Sequence, residues 1–338
     1  MTRLTLMQFR LQALIALGGL AIIAVALAVT GPNLVHLYDT TVANCAANHD
    51  CSLATAALIT NGDKFSIVLR VLVEVVPAII GIFWGAPLVA RELETETFRL
   101  AWTEVPRTRW IRVKLLVLTF VSMAVVGALS VMVTWWSSPL DRIRMTPFTS
   151  FDQRGVVVVG YAAFAFVLGV TAGVVTRRLL PAMAVTLGVF VAARLAIAHW
   201  VRPHLVAPSR LVVRDTVIAT GSSAGTPDPR DWIISDQTIN ASGQVIGQFG
   251  SIGSSGSTAV TVGVHGLVIK GAGSCPDVHS QSSQAVQNCV DQLHLRELLI
   301  YQPISHFWEL QWLEMAIFLG VTAILAGLCV WWVRNRLA

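Results

Sequence analysis

Six long apolar runs, broken by short polar stretches, set the pattern of this chain: residues 11–30, 67–90, 113–136, 156–176, 179–198 and 312–333. Each approaches or exceeds the ~20 mostly apolar residues that a helix needs to cross a bilayer. The first run extends from Leu11 to Thr30, and Gly31-Pro32 is expected to end it. Only Arg177-Arg178 separates the fourth run from the fifth, which predicts a tight hairpin. Pro181 then falls in the first turn of the fifth helix, where a missing N–H costs little. The sixth run carries Trp312 at one end and Trp331-Trp332 at the other, as an interfacial aromatic belt requires. Trp135-Trp136 reads first as another lipid-interface anchor, and second, with Phe83-Trp84, as the lining of an apolar cavity. A cleaved leader competes for the first run, with Arg3 and Arg10 ahead of it and Ala26-Leu27-Ala28 resembling a cleavage site. The run is long for a leader and five more follow, so a membrane span is the preferred reading.

Residues 199–311 differ in texture. Leu211–Thr220, Trp232–Ile239, Gln244–Phe249 and Thr258–Ile269 are rich in β-branched residues and predict short strands. "GSIGSSGS" at 250–257 predicts a flexible loop; no Lys-Ser or Lys-Thr follows, so it is not a phosphate cradle. Ser280–Leu299 turns helical in pattern, with Ala285, Val286, Cys289, Val290, Leu293 and Leu298 apolar. The expected architecture is an all-α transmembrane domain of six helices carrying a small mixed α/β extracytoplasmic domain. Residues 1–10 form an interfacial helix, 11–198 hold helices one to five with a connector at 91–112, 199–311 form the outer domain, and 312–338 supply the last helix and a tail.

Composition agrees with a membrane protein. Of 338 residues, 54% are hydrophobic and 13% charged, with mean hydropathy +0.67, against roughly 25% charged in soluble domains. The net charge of +5 is modest and gives no ground for nucleic-acid binding. Its location decides orientation. With the N-terminus inside, the inner pieces carry Arg3, Arg10, the six bases of the connector region, Arg177, Arg178, Arg334 and Arg336. The reverse orientation leaves only Lys64, Arg142, Arg144 and Arg154 on short inner loops. Both termini are therefore expected in the cytoplasm, and the Arg-, Ala- and Val-rich usage points to a bacterial plasma membrane. Cys45, Cys51, Cys275 and Cys289 then fall outside, and Cys329 lies in the sixth span. An even set in an oxidising compartment reads as disulfides, and Cys45–Cys51 with Cys275–Cys289 is the preferred choice among three connectivities.

Nucleotide- and zinc-site signatures are absent. The chain has no GxxxxGK[ST] and no HExxH, and its eight His residues do not form metal-ligand spacing with the cysteines. His36 and His49 read as solvated. No catalytic residue, metal site or cofactor is expected on this chain. Arg70 and Glu74 sit one turn apart in the second span, where they can pair, and Pro77 is expected to kink the helix beyond them. Each charge costs about 2.5–3.5 kcal/mol at a bilayer centre, so Arg70, Glu74, Phe83 and Trp84 are candidates for a substrate pathway or gate. A structural ion pair near the interface is the alternative.

The densest charge lies between the second and third runs, in "WGAPLVARELETETFRLAWTEVPRTRWIRVKL", residues 84–115. Val89, Leu93 and Leu100 recur near helical spacing, which predicts a short amphipathic helix. On charge alone, an equal reading is that the bases only hold this loop inside. The stretch resembles the segment between the second and third helices of ABC-2 type transporter permeases. Those proteins commonly carry an Ala-Arg-Glu-x-Glu-x-Gly-Thr run there, and a basic entry to helix three. This chain departs at Glu96, where Gly is common, which makes the connector more continuously helical. "YQPISHFWELQWLE" at 301–314 resembles the entry to the last helix in actinobacterial members, and "MTRLTLMQFRLQ" resembles their interfacial helix.

The resemblance implies the permease subunit of an ATP-driven exporter of a small hydrophobic or amphipathic substrate. Its partners would be two ABC ATPase subunits that carry the ATP and Mg, a second permease copy or paralogue, and membrane lipid, with no nucleic acid. Arg91, Glu92, Glu94, Glu96, Thr97 and Arg99 become the expected ATPase-coupling contacts. Two other classes compete: a receptor whose outer domain binds ligand, and an intramembrane enzyme acting on lipid-linked substrates with Glu74 as acid or base.

Overall fold

The computed structural model describes residues 10–48, 67–69, 71–94, 107–141, 147–213, 227–228, 230–239, 242–248, 260–263, 266–269, 273–275 and 296–336. The chain divides into two compact units, residues 1–202 with 308–338, and residues 203–307. Among the described residues, six helices are long and apolar enough to cross a membrane.

The first unit holds these spans. Helix α1 covers Arg10–Asn48. Helix α2 (71–80) runs through a π turn, Gly81–Gly85, into α3, Ala86–Glu94. Helix α4 is Arg107–Asp141, and a 3-10 segment at Pro147–Gln153 leads into α5, Val157–Thr176. Helix α6, Leu179–Ala196, passes through a second π turn, Ile197–Val201, into the short α7, Arg202–Leu205. Helix α8 is Phe307–Arg336.

Helix α1 corrects one expectation. It runs 39 residues, about 58 Å, straight through Gly31-Pro32. Pro32 removes one hydrogen bond, whereas ending the helix there would expose a whole turn of unpaired backbone groups near the membrane. The Thr30 hydroxyl also back-bonds to the Ala26 carbonyl at 2.7 Å, inside the same turn. The expected kink at Pro77 is likewise not where the helix departs from α geometry: the break comes four residues later, at the glycine-flanked π turn. The hairpin between α5 and α6 forms at Arg177, whose φ of 54° is left-handed and whose N–H donates to the Gly173 carbonyl at 3.0 Å.

Helix α5 is the centre of this unit. It is apolar all round, VVVGYAAFAFVLGVTAGVVT, as a membrane span or a helix enclosed by others is. Its span is 78% buried, against 11% for the span of α1. Gly81 and Gly85 on the π turn face Ala165, Phe166 and Gly169 on α5 at backbone contact. A Cβ on Gly169 would sit 2.2 Å from the Gly81 carbonyl oxygen, and one on Gly81 would sit 2.5 Å from that of Ala165. Small residues permit this approach, which supplies van der Waals attraction between helices where lipid gives no hydrophobic drive.

The second unit is built on two antiparallel sheets. The first has strand order β1-β7-β2-β3, with β1 Ser209–Val213, β2 Trp232–Ile239, β3 Val245–Gln248 and β7 Arg296–Gln302. The second is β4 Val260–Gly263, β5 Gly266–Ile269 and β6 Gly273–Cys275. The single strand expected at Thr258–Ile269 is thus two strands. Strand β7 corrects a second expectation, because residues 296–299 continue the helical pattern read from Ser280. Pairing overrides that pattern: β7 lies between β1 (Leu211↔Leu299) and β2 (Asp236↔Leu299), so both edges of its backbone are satisfied. Asp231 closes the sheet end, accepting from the Ile304 N–H at 2.8 Å and the Asp228 N–H at 3.1 Å.

The interfacial helix at 1–10 lies outside the described residues apart from Arg10, as does the predicted helix from 280 to 295. Both expected disulfides do too, since Cys51 and Cys289 are their undescribed halves.

Candidate functional site

Two ends of α5 carry the chemistry of the first unit. At its C-terminal end it meets α3, the start of the charged connector. Ala86, Leu88, Val89 and Ala90 of α3 are buried, while Arg91 and Glu94 are exposed. Ala86 and Ala90 pack with Ala172 of α5 and Ala182 of α6, with Met183 against them. Gly173 permits this docking: a Cβ there would lie 2.7 Å from the Ala86 carbonyl oxygen. The connector helix is therefore joined to the α5–α6 hairpin by contacts with no compressible side chain between them.

At the N-terminal end of α5 lies a buried ionic cluster. Arg202 is its hub. Its Nε donates to Glu314 Oε2 at 2.8 Å and its Nη2 to Glu314 Oε1 at 3.0 Å. The other edge of the guanidinium takes Asp152, with Nη1 to Oδ2 at 3.1 Å and Nη2 to Oδ1. The planar fork thus meets two carboxylates bidentately, a geometry that a lysine ammonium does not reproduce. The guanidinium also lies over the Phe151 ring, 4.2 Å from its centroid. The Tyr161 hydroxyl lies 2.5 Å from Glu314 Oε1 and 2.9 Å from Asp152 Oδ1, and its single proton serves one at a time.

Arg194 is the looser member. It stacks on the Tyr161 ring at 3.7 Å and stands 3.4 Å from Asp152 Oδ1 and 3.7 Å from Glu74 Oε1. Its Nη1 is buried without a hydrogen-bond partner. Two arginines and two buried or half-buried carboxylates balance, and Glu74 adds a fifth charge from the exposed side, 55% accessible. Such groups are costly in a membrane protein and persist only when mutually satisfied.

Sequence and packing explain why these residues meet. Antiparallel α5 and α6, and α8 entering beside them, bring Tyr161, Arg194 and Glu314 to one end of the bundle. Gln311, one turn before Glu314 and fully buried, caps α5 from α8. Its Oε1 accepts from the Val157 N–H at 3.0 Å and its Nε2 donates to the Phe151 carbonyl at 2.9 Å. Gly155, at φ +79°, turns the chain between them where a Cβ would meet Gln311 Oε1 at 2.7 Å.

Among the residues singled out from sequence, Glu74 belongs to the edge of this cluster and faces Arg194. Arg70 lies outside the described residues. Phe83 and Trp84 belong to the π turn, Phe83 being 55% exposed. Glu92 lies in α3, and Glu96, Thr97 and Arg99 are outside the described residues. Asp152, Tyr161, Arg194, Arg202 and Glu314 were not anticipated. Arg194 and Glu314 did carry a signal, because each is an ionisable residue inside a predicted span and must find a partner. Among the described residues no cluster of His, Cys, Asp and Glu could hold a metal ion.

No curated protein and no solved structure matches the chain. A family model described as "ABC-2 membrane transporter related" matches residues 17–202, more than half of the sequence. The match begins in α1 and ends at Arg202, so it takes in the connector helix, the π turn, the central α5 and four of the five residues of the ionic cluster. With six helices able to cross a membrane, the chain is a multi-pass protein that belongs to the ABC-2 membrane transporter related family.

Proposed function

We propose that this protein is the permease subunit of an ATP-driven exporter, moving a small hydrophobic or amphipathic substrate outward. The observation that carries the reading is the rigid joint between α3 and α5. A partner that pushed the exposed Arg91 and Glu94 would move α5 with them, because Ala86, Ala90 and Gly173 leave no slack. Tyr161 and Gly173 are twelve positions apart on one helix, about 18 Å, so displacement at the connector reaches the ionic cluster. The cluster then acts as a latch that ties α5 to α6 and α8 at the far end. Its opening and closing would alternate with ATPase motion.

In this reading two ABC ATPase subunits, holding ATP and Mg, dock on 91–112 from the cytoplasm. Glu92, Glu96, Thr97 and Arg99 complete the contact with Arg91 and Glu94. A second copy or a paralogue completes the translocation pathway, with Phe83 and Trp84 facing it. Both termini are inside, residues 199–311 lie outside, and Cys45–Cys51 and Cys275–Cys289 are oxidised there. The basic residues at Arg177-Arg178 and around the connector support that sidedness.

The test is purification from native membranes, followed by labelling of Glu94→Cys in sealed vesicles of known orientation. The expected result is a copurifying P-loop ATPase and a thiol reached only from the cytoplasmic face. A thiol reached only from outside, or a complex without ATPase, overturns the proposal. Turnover of a lipid-linked substrate by the chain alone would favour an enzyme instead.

A further inference from the structure

We infer that the groove between α1 and α4 is a binding site for a lipophilic cation. Gly31, Pro32, Val35, His36 and Asp39 of α1 and Trp135 and Trp136 of α4 enclose a cavity of about 390 Å³. That volume is within the range of small-molecule pockets. The five α1 positions follow i, i+1, i+4, i+5 and i+8 spacing, so they share one face of the helix. Two indoles form the opposite wall. Trp136 is buried and fixed, its Nε1 donating to the Thr30 hydroxyl at 3.0 Å, while Trp135 is 60% exposed and offers its ring. Gly31 keeps the space open: a Cβ there would already touch Trp135 at 3.4 Å and Trp136 at 3.5 Å, and anything larger would enter the cavity.

Charge selects the ligand. Asp39 is the acidic group among the lining residues, and it is exposed at the rim. It stands eight positions beyond Gly31, about 12 Å along the helix. The apolar stretch of α1 that can lie in lipid ends at Asn33, next to the lining residues Gly31 and Pro32. The site therefore has an aromatic wall near the ends of two membrane-length spans and a carboxylate in its lining. A cation is attracted both by the indole faces and by the carboxylate, and an apolar body fills the space beside Pro32 and Val35. An anionic ligand meets repulsion from Asp39, and His36 is the only other ionisable side chain among the described lining residues. The same chemistry is offered by an aminolipid of the bilayer and by a free amphiphilic amine. The site stands independently of the ATP-driven reading, because its test needs only this chain.

The full-length protein in phosphatidylglycerol nanodiscs, titrated with tritiated tetraphenylphosphonium, is expected to bind saturably. Dodecyltrimethylammonium should displace the probe and neutral dodecanol should not. Asp39→Asn should weaken binding about tenfold and Trp135→Ala severalfold. Gly31→Leu should abolish it. Asp39→Asn is an isosteric change at an exposed position, and unchanged thermal melting of each variant checks the fold. Adding phosphatidylethanolamine separates the sources: competition assigns the site to bilayer aminolipid, and its absence assigns it to a free cation, either result supporting the site. Non-saturable uptake, or saturable binding that both Asp39→Asn and Trp135→Ala leave unchanged, overturns the inference.

Discussion

Arg202 and Glu314 meet fork to fork, through two hydrogen bonds of 2.8 and 3.0 Å, across 112 residues of sequence. Glu314 is 1% exposed and Arg202 9%, so neither ion has water to fall back on. Their value to the fold lies less in mutual attraction than in what happens when one is removed.

Removal of Arg202 leaves the buried Glu314 without its cation and Asp152 with only the looser Arg194. Arg202→Ala is expected to destabilise the protein by about 3–5 kcal/mol. Arg202→Lys should recover little, because an ammonium cannot reproduce the bidentate bonds that the guanidinium makes to each carboxylate. Thermal unfolding in detergent would measure both, and a lysine variant as stable as the parent would contradict the fork geometry.

Gly169 is the closest backbone contact between α5 and the π turn, its absent Cβ falling 2.2 Å from Gly81 O. Gly169→Leu should force the two apart and cost about 1–3 kcal/mol, the usual penalty for overpacking. A disulfide-trapping experiment between substituted cysteines on α2 and α5 should show slower crosslinking. Gly188, where a Cβ meets nothing within 4 Å, is the control position.

Gln311 satisfies two buried backbone groups with one side chain. Gln311→Ala should orphan the Val157 N–H and the Phe151 carbonyl, at about 1–3 kcal/mol each where water does not enter. Faster amide hydrogen exchange at Val157 would identify the loss of the cap specifically.

In the second unit, the Arg230 guanidinium bonds to Asp228 and holds its carboxyl down at about 2, below its ordinary value. A folded-state pKa below the unfolded value contributes stability above the unfolded pKa. That contribution fades as pH falls through the ordinary carboxylate range toward 2. Asp228 is exposed, so the contribution is small. NMR titration should show Asp228 returning to its ordinary value in Arg230→Ala.

By itself the sequence determined the six membrane-length helices, the strands Trp232–Ile239 and Val245–Gln248, and the family, because apolar length, alternation and the connector motif are local properties of the chain. Even there, Pro32 shows the limit: a local helix-stop signal lost to the cost of unpaired backbone near lipid. The partners of buried charge were decided only by tertiary structure. Glu74 has Arg70 one turn away in sequence, yet across the bundle Arg194 stands 3.7 Å from it. Asp152, Tyr161, Arg202 and Glu314 come from four separate elements. An ion in low dielectric must pair with whatever packing brings near, and packing around α5 is a long-range property that no window of sequence contains.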